Sequence, residues 1–300
     1  MPGAPADERT HVRAIFCAGS DPRLVALSEQ RLIFTDPDLI ARYGLVDPAL
    51  PEGRWILVDP TLRIVSTWPL TQSAEALAAF DKLPPPDLHA GVEMTAPVLV
   101  APRIFEPQFC EMLIRYYQAR GGEASGVTRQ HQDGRTYVTQ LEDFKRRSDC
   151  LIEDTDLRDA AMKRIYWRLS PMIERAFMWR PTRMERYLVA AYEAEGGGFF
   201  KPHRDNTTNG TAHRRFAVTI NLNTGDYDGG DLRFPEFGSR TYRAPTGGAV
   251  VFSCAMLHEA TPVTRGTRYA FLPFLYDEAA AEVRRANNKY LDESLRAYDS

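Results

Sequence analysis

The stretch FKPHRDN, residues 200–206, sets an imidazole and a carboxylate two positions apart. In a β-strand, side chains at i and i+2 project from the same face. His203 and Asp205 therefore point together, with Arg204 facing the other way. A neutral imidazole beside a carboxylate can fill two adjacent positions on a divalent metal, and it can equally well sit on a solvated strand face. A third ligand would separate the two cases. Of the six histidines, His11 and His89 fall in the N-terminal part or its linker, His131 in a polar loop, and His213 beside Arg214 and Arg215 at a turn. His258 differs, because it follows the apolar run AVVFS (249–253) and opens the alternating HEATPV. Two histidines and one carboxylate on strands of one sheet make a 2-His-1-carboxylate set. That set occupies one face of an octahedral Fe(II) and leaves positions for a co-substrate and dioxygen. Zinc favours sites with a single open position, and magnesium favours oxygen ligands.

An oxygenase of this kind needs electrons, and a dicarboxylate donor such as 2-oxoglutarate needs a cation for its distal end. Arg268 lies ten residues after His258 on the next strand-like run, RYAFLPFLY. A planar guanidinium meets a carboxylate bidentately and suits a partly buried site better than lysine does. A hydrolase using the same three ligands would have no need of Arg268.

These residues need rigid elements behind them. From Arg183 onward the chain breaks into short apolar segments (RYLVAAYEA, GFFKPHRD, RRFAVTINLN, GGDLRF, AVVFS) separated by Gly, Asn, Asp and Pro, the pattern of an antiparallel sandwich or barrel. Upstream, TAPVLVAPRIF (95–105) predicts a strand, EPQFCEMLIRYYQARG (106–121) an amphipathic helix stopped by glycine, and 157–178 a long helix. Residues 122–150 predict a polar, irregular loop carrying Lys145-Arg146-Arg147, and the tail predicts a terminal helix. The proline-rich PPPDLHAGVE (84–93) stops a helix at 71–83 and marks a boundary near residue 88. Before it, strands and helices alternate: strands at 11–19, 54–59 and 62–70, helices at 23–30 and 36–44. That order is a small α/β layer.

With 300 residues, a net charge of −3 and 44% hydrophobic residues, the chain is an ordinary globular one of two domains. Nothing in its charge suggests a nucleic-acid partner. No run is apolar enough to span a bilayer, and no signal peptide precedes the first strand. Cys17, Cys110, Cys150 and Cys254 are scattered without a C-x-x-C pair, which predicts reduced thiols and a cytoplasmic setting.

From about residue 184 to 277 the chain resembles the Fe(II)/2-oxoglutarate-dependent oxygenases of the prolyl hydroxylase type. The likeness rests on LVAAYEAEGGGFFKPHRDN, RRFAVTINLN, GGDLRFPE and HEATPVTRGTRYA, in that order. It implies a double-stranded β-helix (jelly-roll) core at about 183–277 within a mainly β domain, 89–300, flanked by helices. It assigns His203, Asp205 and His258 to the metal and Arg268 and Tyr192 to 2-oxoglutarate. Asn221 stands where many members carry a second tyrosine. No catalytic residue is implied beyond these. The implied cofactors are Fe(II), 2-oxoglutarate, O2 and ascorbate, and the implied reaction hydroxylates an unactivated C–H bond with release of succinate and CO2. Arg146, Arg147 and Asn206 are the candidate substrate contacts, for a protein, peptide or small-molecule substrate. Residues 1–88 resemble a truncated peroxiredoxin, a thioredoxin-like α/β fold without its nucleophile. That part is expected to be non-catalytic, and it and the terminal helix offer surfaces for a homodimer. A non-catalytic docking scaffold is the competing reading of the whole chain.

Overall fold

The computed structural model describes residues 13–16, 32–34, 54–58, 64–82, 94–292 and Leu295. Cα positions group the chain into two units, Met1–Ala96 with Pro235–Arg240, and Pro97–Phe234 with Thr241–Ser300. In the first, strands β1 (Arg13–Phe16), β2 (Leu32–Phe34), β3 (Arg54–Val58) and β4 (Ile64–Pro69) form one sheet in the order β2-β1-β3-β4, followed by helix α1 (Ser73–Asp81). β1 and β2 run parallel, while β3 is antiparallel to both β1 and β4. Trp55, Ile56 and Leu57 are buried, and the Trp55 indole donates to Ser73 Oγ at 2.9 Å, tying α1 to the sheet. The helices expected at 23–30 and 36–44, Cys17 and the proline-rich boundary lie outside the described residues.

The second unit is mainly β. It opens with β5 (Leu99–Ala101) and helix α2 (Pro107–Arg120), which starts on a proline, buries Phe109, Cys110, Leu113 and Tyr117 along one stripe and stops at Gly121 with φ 74°. β5 is much shorter than the strand expected over 95–105. Residues 122–150 are not the irregular loop their polarity suggests. They form β6 (Glu123–Ala124), the hairpin β7 (Val127–Gln130) and β8 (Thr136–Thr139), β9 (Lys145–Arg146) and β10 (Ser148–Leu151). Strands of two to four residues are too short for an alternating pattern to stand out. The helix expected at 157–178 is α3 (Thr155–Arg164), a π segment (Ile165–Leu169) and α4 (Ser170–Phe177); Asp154 caps its start by accepting from the Leu157 N–H at 2.8 Å.

The remaining strands are β11 (Arg183–Glu185), β12 (Leu188–Glu193), β13 (Phe199–His203), β14 (Phe216–Asn221), β15 (Asp228–Gly229), β16 (Leu232–Arg233), β17 (Thr241–Tyr242), β18 (Ala249–Ser253), β19 (His258–Ala260), β20 (Val263–Arg265), β21 (Thr267–Phe271) and β22 (Phe274–Tyr276), before α5 (Glu278–Ala286). Nine strands make the major sheet, β11-β22-β14-β21-β12-β10-β6 with β18 added beside β14 and β5 beside β18, and five make the minor one, β17-β16-β19-β13-β9. β12 and β14 are buried along nearly their whole length, which is why they read as continuous apolar runs. The main core lies where α2, α3 and α4 pack on the major sheet, around Leu113, Leu169, Ile173, Val189, Ile220 and Phe271. A second, smaller cluster, including Leu188, Tyr192 and Ala260, joins strands of both sheets.

Candidate metal and co-substrate site

β13 and β19 pair antiparallel with His203 opposite His258, after a register shift between Phe200 and His203. Such an irregularity re-aims side chains at a strand end. Asp205 lies just beyond β13, and its backbone N–H donates to the Cys254 carbonyl at 2.9 Å, which anchors this end of the strand to the loop before His258. The two imidazoles and the carboxylate converge. Asp205 Oδ1 is 3.5 Å from His203 Nε2 and Oδ2 is 3.3 Å from His258 Nε2. One ligand atom from each of the three lies within 4.8 Å of the others.

The histidines are oriented from behind. His203 Nδ1 lies 2.8 Å from the Lys201 carbonyl and His258 Nδ1 3.0 Å from that of Met256. A carbonyl only accepts, so both Nδ1 atoms carry the hydrogen and both Nε2 lone pairs face inward. This is the tautomer a metal requires, held by the hydrogen bonds that commonly orient metal-ligating histidines. Burial, and then the neighbouring His258, push the His203 pKa down and keep the ring neutral. Burial acts to raise the Asp205 pKa, but the neighbouring His258 and His203 hold it well below the usual carboxylate range. Phe200 stacks on His203 at 3.5 Å and Phe252 packs against His258 at 4.5 Å. The donor set, two imidazole nitrogens and one carboxylate backed by apolar rings, fits Fe(II).

The major sheet supplies the opposite wall. Arg268 on β21 pairs across from Tyr192 on β12, and its guanidinium lies over the Tyr192 ring at 4.9 Å. It is only 2% exposed, yet among the described residues Nε and Nη1 have no hydrogen-bond partner and Nη2 reaches Asn221 Oδ1 at 3.4 Å. Buried guanidinium donors are normally satisfied, so this cradle fits a carboxylate that the chain does not provide. Arg147 donates to the Tyr192 hydroxyl at 3.3 Å and leaves the phenolic hydrogen for another acceptor. A cavity of about 60 Å³ between the sheets is lined by His203, Asp205 and His258 on one side and by Tyr192, Thr219 and Arg268 on the other. A wider groove of about 690 Å³ shares Arg186, Phe200, His203 and Asp205 with it.

The other residues singled out from the sequence separate. Asn221 does not line the cavity; its amide donates to the Ala244 carbonyl at 2.9 Å and its oxygen meets Arg268 from behind. Arg147 lines the cavity and bonds Asp149 at 2.7 Å, whereas Arg146, one position away on the other strand face, donates to the Gly196 carbonyl at 2.7 Å and lines neither space. Asn206 lines neither; its neighbour Thr207 lines the groove. Sequence reasoning missed Arg186, Asp149 and the inward aim of Lys145. Alternation along 145–147 was the available signal for Lys145. None existed for Arg186, which lies between β11 and β12 with a positive φ of 66°.

Residues 187–276 match the 2OG-Fe(II) oxygenase superfamily. Among curated proteins, the chain is 33% identical over 124 residues to a PKHD-type hydroxylase of Delftia acidovorans, covering 39% of this chain and 52% of that protein. It is 39% identical over 85 residues to one of Cupriavidus metallidurans, covering 25% and 37%. The chain thus spans about half the length, or less, of the curated relatives it matches. Similar solved structures include a Pseudomonas putida prolyl-4-hydroxylase (20% identity, TM-score 0.45, covering 61% of this chain and 94% of that one). Another is a Trichoplax adhaerens prolyl hydroxylase in complex with a hypoxia inducible factor peptide fragment (16% identity, TM-score 0.44, covering 63% and 87%). The chain carries a 2OG-Fe(II) oxygenase domain.

Proposed function

We propose that this chain is an Fe(II)- and 2-oxoglutarate-dependent hydroxylase. The observation that carries the reading is the pairing, across one cavity, of the His203–Asp205–His258 cluster with a buried Arg268 whose Nε and Nη1 are unmet. With Fe(II), 2-oxoglutarate and O2 bound, the centre would supply the oxidising power, giving succinate, CO2 and a hydroxylated C–H bond. His203, Asp205 and His258 would hold the metal. Arg268 would receive the distal carboxylate, with the Tyr192 hydroxyl donating to the same group and Asn221 steadying the guanidinium. Phe200, Leu232, Phe252 and Phe274 wall the cavity with apolar surface, which excludes water and strengthens each charged contact.

Ascorbate belongs to this proposal as an external reductant, and a peptide or small-molecule substrate as the acceptor of oxygen. Two sheets enclosing the site support a double-stranded β-helix core. For residues 1–88, a parallel β1–β2 pair followed by the antiparallel β3–β4 hairpin and a helix supports a thioredoxin-like module separate from 89–300. The buried, unpaired thiols of Cys110, Cys150 and Cys254 support a reducing, cytoplasmic setting. Among the described residues no helix is long and apolar enough to cross a membrane.

Anaerobic titration with Fe(II) and then 2-oxoglutarate tests the reading. A weak visible charge-transfer band is expected in the native chain. His203→Ala should abolish it, and Arg268→Met should weaken 2-oxoglutarate binding by about thirtyfold or more, the usual consequence of losing one side of a buried charge pair. An absent band, or one that survives His203→Ala, would sink the assignment.

A further inference from the structure

A second cationic group borders the site, and the proposed chemistry does not use it. Arg147 and Arg186 both bond the one carboxylate of Asp149, at 2.7 and 3.2 Å, and both line the cavity. Lys145 lies beside them, bonded to neutral oxygens of Ser125 and Gly126 at 2.6 and 2.7 Å and seated over the Phe200 ring. Among the described residues Arg147 Nε is buried without a partner, and Arg186, partly exposed, gives Nη2 to Asp149 and lies over the Phe274 ring. Arg186 also holds φ 66°, a strained conformation for a residue with a Cβ, and lines both the cavity and the groove.

Charge at the site explains what such a group is for. If the metal and co-substrate bind as proposed above, the two positive charges of Fe(II) and the one of Arg268 are met by Asp205 and the two carboxylates of 2-oxoglutarate. That half of the site is neutral when loaded. Around Asp149, two guanidiniums face one carboxylate. The other acids of the groove do not correct this, because Glu185 already holds Arg214 and Arg284, each at 2.7 Å, and Glu123 is exposed. Uncompensated buried positive charge is unfavourable in the free protein and favourable once an anion arrives.

We propose that the substrate presents a carboxylate beside the carbon that is hydroxylated, and that Arg186, with Arg147, receives it. This inference rests on the hydroxylase reading and names its substrate class. The carboxylate belongs either to a free amino or organic acid or to an acidic side chain of a peptide.

The test uses the full chain, anaerobic and loaded with Fe(II) and 2-oxoglutarate, so that the charge-transfer band first reports on the hydroxylase reading by itself. Two matched pairs of probes are then titrated while the band is monitored: L-proline against L-prolinamide, and acetyl-Asp-Pro-amide against acetyl-Asn-Pro-amide. The acid of at least one pair should bind about thirtyfold tighter than its neutral partner; the first pair marks a free acid, the second an acidic peptide. In Arg186→Gln, which should still form the band, the preference should fall to within twofold. A band with equal affinities inside both pairs, including no binding by any probe, overturns the inference and leaves the hydroxylase reading standing. A missing band overturns that reading instead. The native comparison is decisive even if the variant does not fold.

Discussion

Asp149 is the residue on which the basic side of the site depends. Burial acts to raise its carboxyl pKa, but Arg147, then Arg186 and Lys145, hold it well below the ordinary range. A carboxylate depressed in the folded state stabilises the fold above its unfolded pKa of about 4 and loses that contribution as pH falls toward the folded value. Native thermal stability should therefore decline as pH drops below about 4. Asp149→Asn should lack that part of the decline and, at neutral pH, be less stable by about 3–5 kcal/mol, because it leaves two guanidiniums without their acid. Melting temperature followed from pH 7 to pH 3 for both proteins checks this; parallel curves would show that the pairing adds no pH-dependent stability. Residues also mark the limit of what spacing reveals. His203, Asp205 and His258 come together, but Asp205 does so from the turn after β13 rather than from the strand face its spacing implies. Lys145, Arg147 and Arg186 do not look like a group in the sequence, since Arg186 lies some forty positions away and reaches the site through a left-handed backbone.

At the scale of elements, the turn before β16 controls Arg268. Gly230 sits at φ 67°, and a Cβ there would meet Val263 Cγ2 at 2.8 Å and Arg268 Cδ at 2.9 Å. Gly230→Ala would add backbone strain of about 1–2 kcal/mol and press on the stem that positions the guanidinium. The expected outcome is a roughly tenfold loss of 2-oxoglutarate affinity, with Fe(II) affinity held within twofold because β13 and β19 are untouched. Anaerobic titrations of metal and co-substrate separate the two; equal losses in both would mean the turn supports the sheet rather than Arg268. The apolar strands β12, β14 and β18 are legible as continuous apolar runs and α2 by its periodic buried stripe. β6 to β10 are not, because two to four residues give no period, and their pairing with distant strands is what makes them strands.

For the molecule as a whole, the described site residues all fall between Ser125 and Phe274, within the second unit. A chain trimmed to begin at Met94 should therefore keep the 2-oxoglutarate-dependent band and its affinity within about twofold, as expected for a domain with its own core. Loss of the band from a trimmed chain that still folds, as judged by circular dichroism, would show that residues 1–93 contribute to the site.

The sequence by itself determined the local terms: which of the longer apolar segments are strands or helices, which residues have metal-ligand chemistry, and the spacing that lets β13 present His203 with Asp205 following. These follow from backbone periodicity and side-chain type, which act over a few residues. Only the tertiary structure decided that Arg268 is buried with open donors, that Asn221 stands behind it, and that Arg147 faces the cavity while Arg146 does not. It alone gathered Lys145, Arg147 and Arg186 around one carboxylate. Burial and charge pairing are properties of the space between the sheets, and that space exists only once strands far apart in the chain have paired.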